Sequence, residues 1–257
     1  MRKKFAWIIL VVLSVTTNAP VSWSAGSYDW TGAYVGANLG GSFGRLKART
    51  VGSPTGSGTV YLLPLDFIQI SDSGNKTSHP GTFISGAQAG FNYQARKLVL
   101  GLETDFDRMP LDHTTVSGQE YLTAPGTGFQ IRRHIRTRWL STLRPRIGFA
   151  MNRLLIYGTT GMAFSRLKFE EEFTDTFTPA YESASKTRGL LGWALGAGIE
   201  YGVTKNWTVK AEYLFINFPS VSVHDSPLVE PAGGRDEFNH SANLDLHTVR
   251  LGINFKF

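Results

Sequence analysis

Long stretches of this chain alternate strictly between apolar and polar side chains. A period of two places successive side chains on opposite faces of a β-strand. In the last segment Val249, Leu251, Ile253, Phe255 and Phe257 share one face, opposite Thr248, Arg250, Gly252, Asn254 and Lys256. Trp207, Val209, Ala211, Tyr213 and Phe215 alternate in the same way with Thr208, Lys210 and Glu212. Leu191, Trp193, Leu195, Ala197, Ile199 and Tyr201 alternate with glycines, Ala194 and Glu200. Similar segments run from Thr31 to Gly44, Phe83 to Tyr93, Leu98 to Asp107 and Trp139 to Phe149. An eighth, Leu154 to Lys168, has apolar residues on both faces. Each is long enough for the roughly 9 to 11 residues of a tilted membrane strand.

A soluble β-sandwich also alternates, with its apolar face as the core. Two features favour the inverted, lipid-facing arrangement. The polar face mixes glycine with charges of both signs, which suits the narrow interior of an eight-stranded barrel. The apolar face sets aromatics toward strand ends (Phe43, Tyr93, Phe106, Trp139, Phe149, Trp193, Tyr201, Trp207, Phe215, Phe257), as interfacial girdles require.

Connection lengths point the same way. Short links at Ala95–Arg96, Met151–Asn152 and Gly202 to Lys205 alternate with long ones at Arg45 to Gly81, Met109 to His134, Glu170 to Lys186 and Pro219 to Leu246. Membrane barrels keep short turns on the periplasmic side and long loops outside. The expected fold is therefore all-β: an eight-stranded antiparallel transmembrane β-barrel with long outer loops and short periplasmic turns.

The start of the chain agrees with export. Arg2, Lys3 and Lys4 precede an apolar run from Trp7 to Val15 and then small residues through Ala25, the pattern of a cleavable signal peptide. Residues 1–25 are expected to be that signal and 26–257 the barrel. The apolar run is too short for a helical span, and no later stretch reaches the length that a transmembrane helix needs. With no cysteine, neither disulfides nor thiolate metal sites exist. The formal charge is +6, but Arg2, Lys3 and Lys4 carry three of those charges, so the basic balance is no argument for a nucleic-acid partner.

The segment Tyr28-Asp29-Trp30-Thr31-Gly32-Ala33-Tyr34-Val35-Gly36 resembles the mature start of small outer-membrane surface-antigen barrels, a family related to the OmpA transmembrane domain and the opacity proteins. The closing Arg250-Leu251-Gly252-Ile253-Asn254-Phe255-Lys256-Phe257 resembles that family's assembly signal, as does its polar, glycine and alternating aromatic pattern at Arg250, Gly252, Phe255 and Phe257. The glycine-rich run Gly192 to Tyr201 also fits. The resemblance implies an outer-membrane location and handling by the barrel-assembly machinery. Some alphaproteobacterial members are described as haemin-binding, but no family binding motif is matched here.

Inward-facing charges form the main candidate constellation: Glu103, Asp105, Arg144, Arg146, Glu200, Lys210, Glu212 and Arg250. Equal numbers of acids and bases predict a salt-bridged plug rather than an ion path, because a lone buried charge is costly. Arg132, Arg133, Arg136 and Arg138 are the candidate contact with lipopolysaccharide phosphates. Histidines 79, 113, 134, 224, 240 and 247 lack metal-ligand spacing, so haem is only a secondary reading and no cofactor is expected. His247 with Asp245 and a nearby serine is the one conceivable hydrolase grouping, and no enzyme activity is expected from it. The acid-rich third loop (Glu170, Glu171, Glu172) reads as a solvated surface. The function that fits is a surface protein with a structural or interaction role, in envelope integrity or in host or surface contact. A narrow pore or haemin-binding barrel is the alternative. Expected partners are outer-membrane lipid, lipopolysaccharide, the assembly machinery and a host or surface ligand.

Overall fold

A computed structural model of the protein describes residues 27–54, 63–176, 181–227 and 236–257. The expected signal, residues 1–25, lies outside the described residues. The elements in order are β1 (Gly32–Pro54), α1 (Pro64–Gly74), β2 (Lys76–Ser78), β3 (Gly81–Ala95), β4 (Leu98–Glu120), β5 (Gly128–Met151), β6 (Leu154–Asp175), β7 (Tyr181–Gly202), β8 (Trp207–Pro227) and β9 (Asp236–Lys256).

All neighbouring strands pair antiparallel in the order β2-β1-β3-β4-β5-β6-β7-β8-β9. The ring closes by β1 against β9, from Tyr34↔Lys256 to Pro54↔Asp236. These are the eight expected staves. The three-residue β2 pairs with β1 at Leu46–Ala48, beyond the point where β3 begins. Closure leaves the membrane-spanning part of the sheet without a free edge, as backbone polar groups in lipid require.

The inversion of the apolar face is direct. Leu102, Phe106 and Leu251 are 50%, 59% and 59% exposed, while Glu103 and Arg250 are 2% and 1% exposed. The apolar side chains face the lipid and the charges face one another inside.

The short turns, Tyr28 and Phe257 share one rim, which is the periplasmic rim of such barrels. Arg96 and Asn152 occupy the two tight turns with φ of 59° and 53°. Asparagine tolerates this left-handed region readily, and arginine does so at some cost.

The opposite rim differs from expectation. Much of what reads as long loop is strand: β4 continues to Glu120 and β5 begins at Gly128, so residues 121–127 alone form their turn. At ~3.3 Å per residue, a stave the length of β4 stands well above the roughly 25 Å apolar band of an outer-membrane barrel, even when tilted by about 40°. Outside the membrane the barrel therefore persists as a strand-built collar. The segment from 63 to 78 is also structured, because α1 folds into the mouth of that collar.

Candidate functional site

The interior is layered. At the periplasmic end Tyr28 and Trp30 turn inward and pack with Val99, Ala150, Leu155 and Tyr157. Their rings meet edge-on at 4.6 Å, and Gln94 Oε1 accepts a bond from the Trp30 N–H at 2.8 Å. The Thr31 N–H donates to Asp29 Oδ1 at 2.9 Å and holds that carboxyl below the usual carboxylate range. The segment that carries the family resemblance therefore closes the lower opening.

Above it lies the charge network. All eight expected residues are buried and brought together. Arg144 donates to Glu103 and Asp105 at 2.8 Å each and to Glu212 at 3.2 Å. Arg146 binds Glu200 at 2.7 Å and Glu103 at 3.3 Å. Lys210 Nζ reaches both Glu103 oxygens at 2.9 Å. Arg250 ties Glu212 at 2.7 Å, Asp105 at 2.8 Å and Asp107 at 2.9 Å. The expected balance of acids and bases is off by one, because Asp107 is a further buried carboxylate.

Sequence reasoning also missed two tyrosines. Tyr34 donates to Glu103 at 2.7 Å, and Tyr157 to Glu212 at 2.9 Å. Tyr34 shares the parity of Gly36 and Asn38, which was a readable signal. Tyr157 was obscured because β6 carries apolar residues on both faces. Room for each ring comes from a glycine. A Cβ on Gly198 would lie 2.6 Å from the Tyr157 ring and hydroxyl, and one on Gly90 would fall within the Tyr34 phenol.

A third layer is apolar and was not anticipated. Ile84, Met109, Leu111, Leu140, Leu167, Leu190, Leu214, Ile216, Phe218, Leu244 and Leu246 point inward above the charges. The outermost layer is the cap. Phe67 and Ile70 of α1 pack among Tyr121, Phe129, Ile131 and Phe173. Gln69 Oε1 accepts from the Leu122 N–H at 3.1 Å, and Asp66 Oδ1 accepts from the Thr123 hydroxyl at 2.6 Å.

Arg133 belongs to this cap, which corrects one expectation. Its side chain is buried, pairs with Glu171 at 3.0 Å, and bonds the Gly74 carbonyl at the end of α1 and the Thr50 hydroxyl. It cannot touch lipid. The cause is a β-bulge between Thr137 and Leu140 on β5. Two consecutive residues, Arg138 and Trp139, face outward there, and parity reverses above them. Arg132, Arg136 and Arg138 stay on the outer surface. The acid run splits by the same alternation, with Glu171 inward and Glu172 outward.

In the conceivable hydrolase grouping, His247 and Asp245 are turned to other partners. His247 Nδ1 meets the Tyr213 hydroxyl at 2.7 Å, and Asp245 accepts from Asn217 at 2.6 Å. Among the described residues no group of three or more His, Asp or Glu is placed to hold a metal ion. The residues of the expected assembly signal divide by face. Arg250 sits in the charge network, while Phe255 packs edge-on against Trp207 at 5.1 Å and against Phe257 at 5.3 Å.

Comparison with known proteins adds the family. The model of the outer membrane protein beta-barrel domain matches residues 7–257. The chain belongs to this family. It is 33% identical over 246 residues to the 31 kDa outer-membrane immunogenic protein of Brucella melitensis, covering 95% of this chain and 89% of that one. It is 26% identical to the 25 kDa outer-membrane immunogenic protein of Brucella abortus, covering 93% and 84%. Among solved structures, the outer membrane protease OmpT of Escherichia coli is 11% identical with a TM-score of 0.48, covering 91% of this chain and 99% of that one. As a member of the family, the protein is an outer-membrane β-barrel.

Proposed function

We propose that this protein is a sealed barrel whose role is carried by the surface it displays, in envelope integrity or in contact with other surfaces, rather than by catalysis or solute passage. One observation supports this most: the interior is filled in succession by the Tyr28–Trp30 plug, the ion-pair network, the apolar layer and the α1 cap. A path for solute would have to break buried ion pairs and open both ends. The Brucella relatives are named immunogenic, which accords with a displayed surface. Haemin capture gains no comparable support, since His113 and His134 lie on opposite faces of the wall.

The absence of cysteine makes display directly testable. Thr114 is exposed on the collar and Lys205 on a short turn. A membrane-impermeant maleimide should label Thr114→Cys on intact cells, and Lys205→Cys only after lysis. The reverse pattern would invert the barrel and remove the displayed collar from the outside.

A further inference from the structure

The bulge that buries Arg133 has a second consequence on the outer wall. Going up β4, the lipid-facing residue after Phe106 is Arg108, whose cross-strand partner on β5 is Trp139. On β5 the bulge turns both Trp139 and Arg138 outward. On β6 the outward residue after Phe164 is Arg166, which lies opposite the same bulge, between the paired Leu140↔Ser165 and Thr137↔Leu167. Three exposed arginines therefore occupy neighbouring outward positions on adjacent strands, Arg108 one step above Phe106 and level with Trp139, Arg138 next above Trp139, and Arg166 one step above Phe164. Phe106 and Trp139 stack at 5.8 Å and mark the upper limit of the apolar belt.

The charges one step higher are already matched. Arg136 pairs with Asp112 at 3.7 Å, His134 with Asp112 at 2.8 Å, and Lys168 with Glu170 at 2.6 Å. Arg108, Arg138 and Arg166 have no acidic partner among the described residues, and the next outward residue on β4 is Pro110. Cations left without protein counter-charges at this height lie at the level of lipid headgroups. Guanidinium forks bind phosphate in bidentate fashion, with charge-assisted hydrogen bonds. Aromatic rings just below would bound the adjoining acyl region.

The geometry points to Arg108, Arg138 and Arg166 as a docking site for the phosphorylated head of an outer-leaflet glycolipid, the lipid A part of lipopolysaccharide. The site recognises phosphate, and its acyl chains run down the apolar belt below. It does not depend on whether the barrel is sealed, so the two readings fail separately. Of the arginines singled out from the sequence, Arg138 alone belongs to it. Arg132 and Arg136 lie higher, and Arg133 is inside.

The test uses the full mature chain folded in detergent, with heat-modifiable migration as the check of folding. The probes are diphosphoryl lipid A, the same lipid A with its phosphates removed, and phosphatidylglycerol, each scored by native mass spectrometry. The unmodified protein should retain diphosphoryl lipid A and lose it on dephosphorylation. Replacing all three arginines by alanine should weaken retention at least tenfold. Replacing them by lysine should weaken it less, since charge is kept and the fork is lost. Equal retention of phosphate-free lipid A, or undiminished retention by the alanine variant, would overturn the site. Equal retention of phosphatidylglycerol would assign the site to phospholipid headgroups and overturn the glycolipid assignment. If the alanine variant does not fold, the lysine variant and the dephosphorylated probe decide: a lysine variant that retains the lipid as tightly as the unmodified protein would also count against the site.

Discussion

Arg144 is the residue on which the lumen network turns. It contacts Glu103, Asp105 and Glu212 at once. A buried ion pair contributes little net stability over an apolar replacement, but removing one partner strands the others. Arg144→Ala should therefore lower stability by about 3–5 kcal/mol, read as an earlier urea midpoint in detergent. An unchanged midpoint would mean that the network does not hold the barrel. Gly198 acts through space rather than charge. Gly198→Ala puts a methyl group into the Tyr157 ring and should displace it from Glu212, costing about 1–3 kcal/mol by the same assay. Asp107 and Tyr34 show what a list of candidate residues overlooks. Both have the parity of the inner face, but neither stands beside an obvious sequence partner. The bond from Arg250 on β9 to Asp107 on β4 exists only because the sheet closes into a ring.

The strands were legible as elements because one face meets lipid and the other meets charge, so period two is unbroken through the belt. Above the belt both faces become polar or mixed, as along Asp112 to Glu120, and the alternation no longer separates strand from loop. The collar was hidden for that reason. The bulge at Arg138–Trp139 was hidden too, since one extra residue leaves no compositional mark while it reverses every assignment beyond it. Reading parity upward from Trp139 sends Arg133 to the lipid; the bulge returns it to the interior. Helix α1 was illegible because it is short and its stabilising contacts, Phe67 and Ile70 against the 121–127 turn, β5 and β6, are all tertiary. Arg133→Ala should loosen α1 by freeing the Gly74 carbonyl and removing the buried pair with Glu171. The expected readout is faster proteolytic cleavage within residues 63–76 on intact cells, with heat-modifiable migration preserved. Cleavage at the original rate would show that apolar packing alone seats the helix. At the other end of the chain, Phe257 lies on the lipid face and outside the ion-pair network. Deleting it should reduce the amount of barrel reaching the outer membrane while refolding in detergent survives. Loss of both together would make Phe257 structural rather than an assembly signal.

At the scale of the whole molecule, the barrel is a scaffold filled along its length and continued outside the membrane as a collar. Fold, membrane position and the eight paired charges followed from alternation and from the size of an eight-stranded interior. The apolar layer above the charges and the caps at both ends did not, since each is built from residues that meet only after closure. If the interior is occupied as described, no ion has a continuous wet route across the membrane. Planar-bilayer conductance of the refolded protein, residues 26–257, tests this most directly. The account predicts a silent bilayer from the unmodified protein at neutral pH. Reproducible stepwise openings from protein shown to be folded by heat-modifiable migration would contradict it and make the protein a pore.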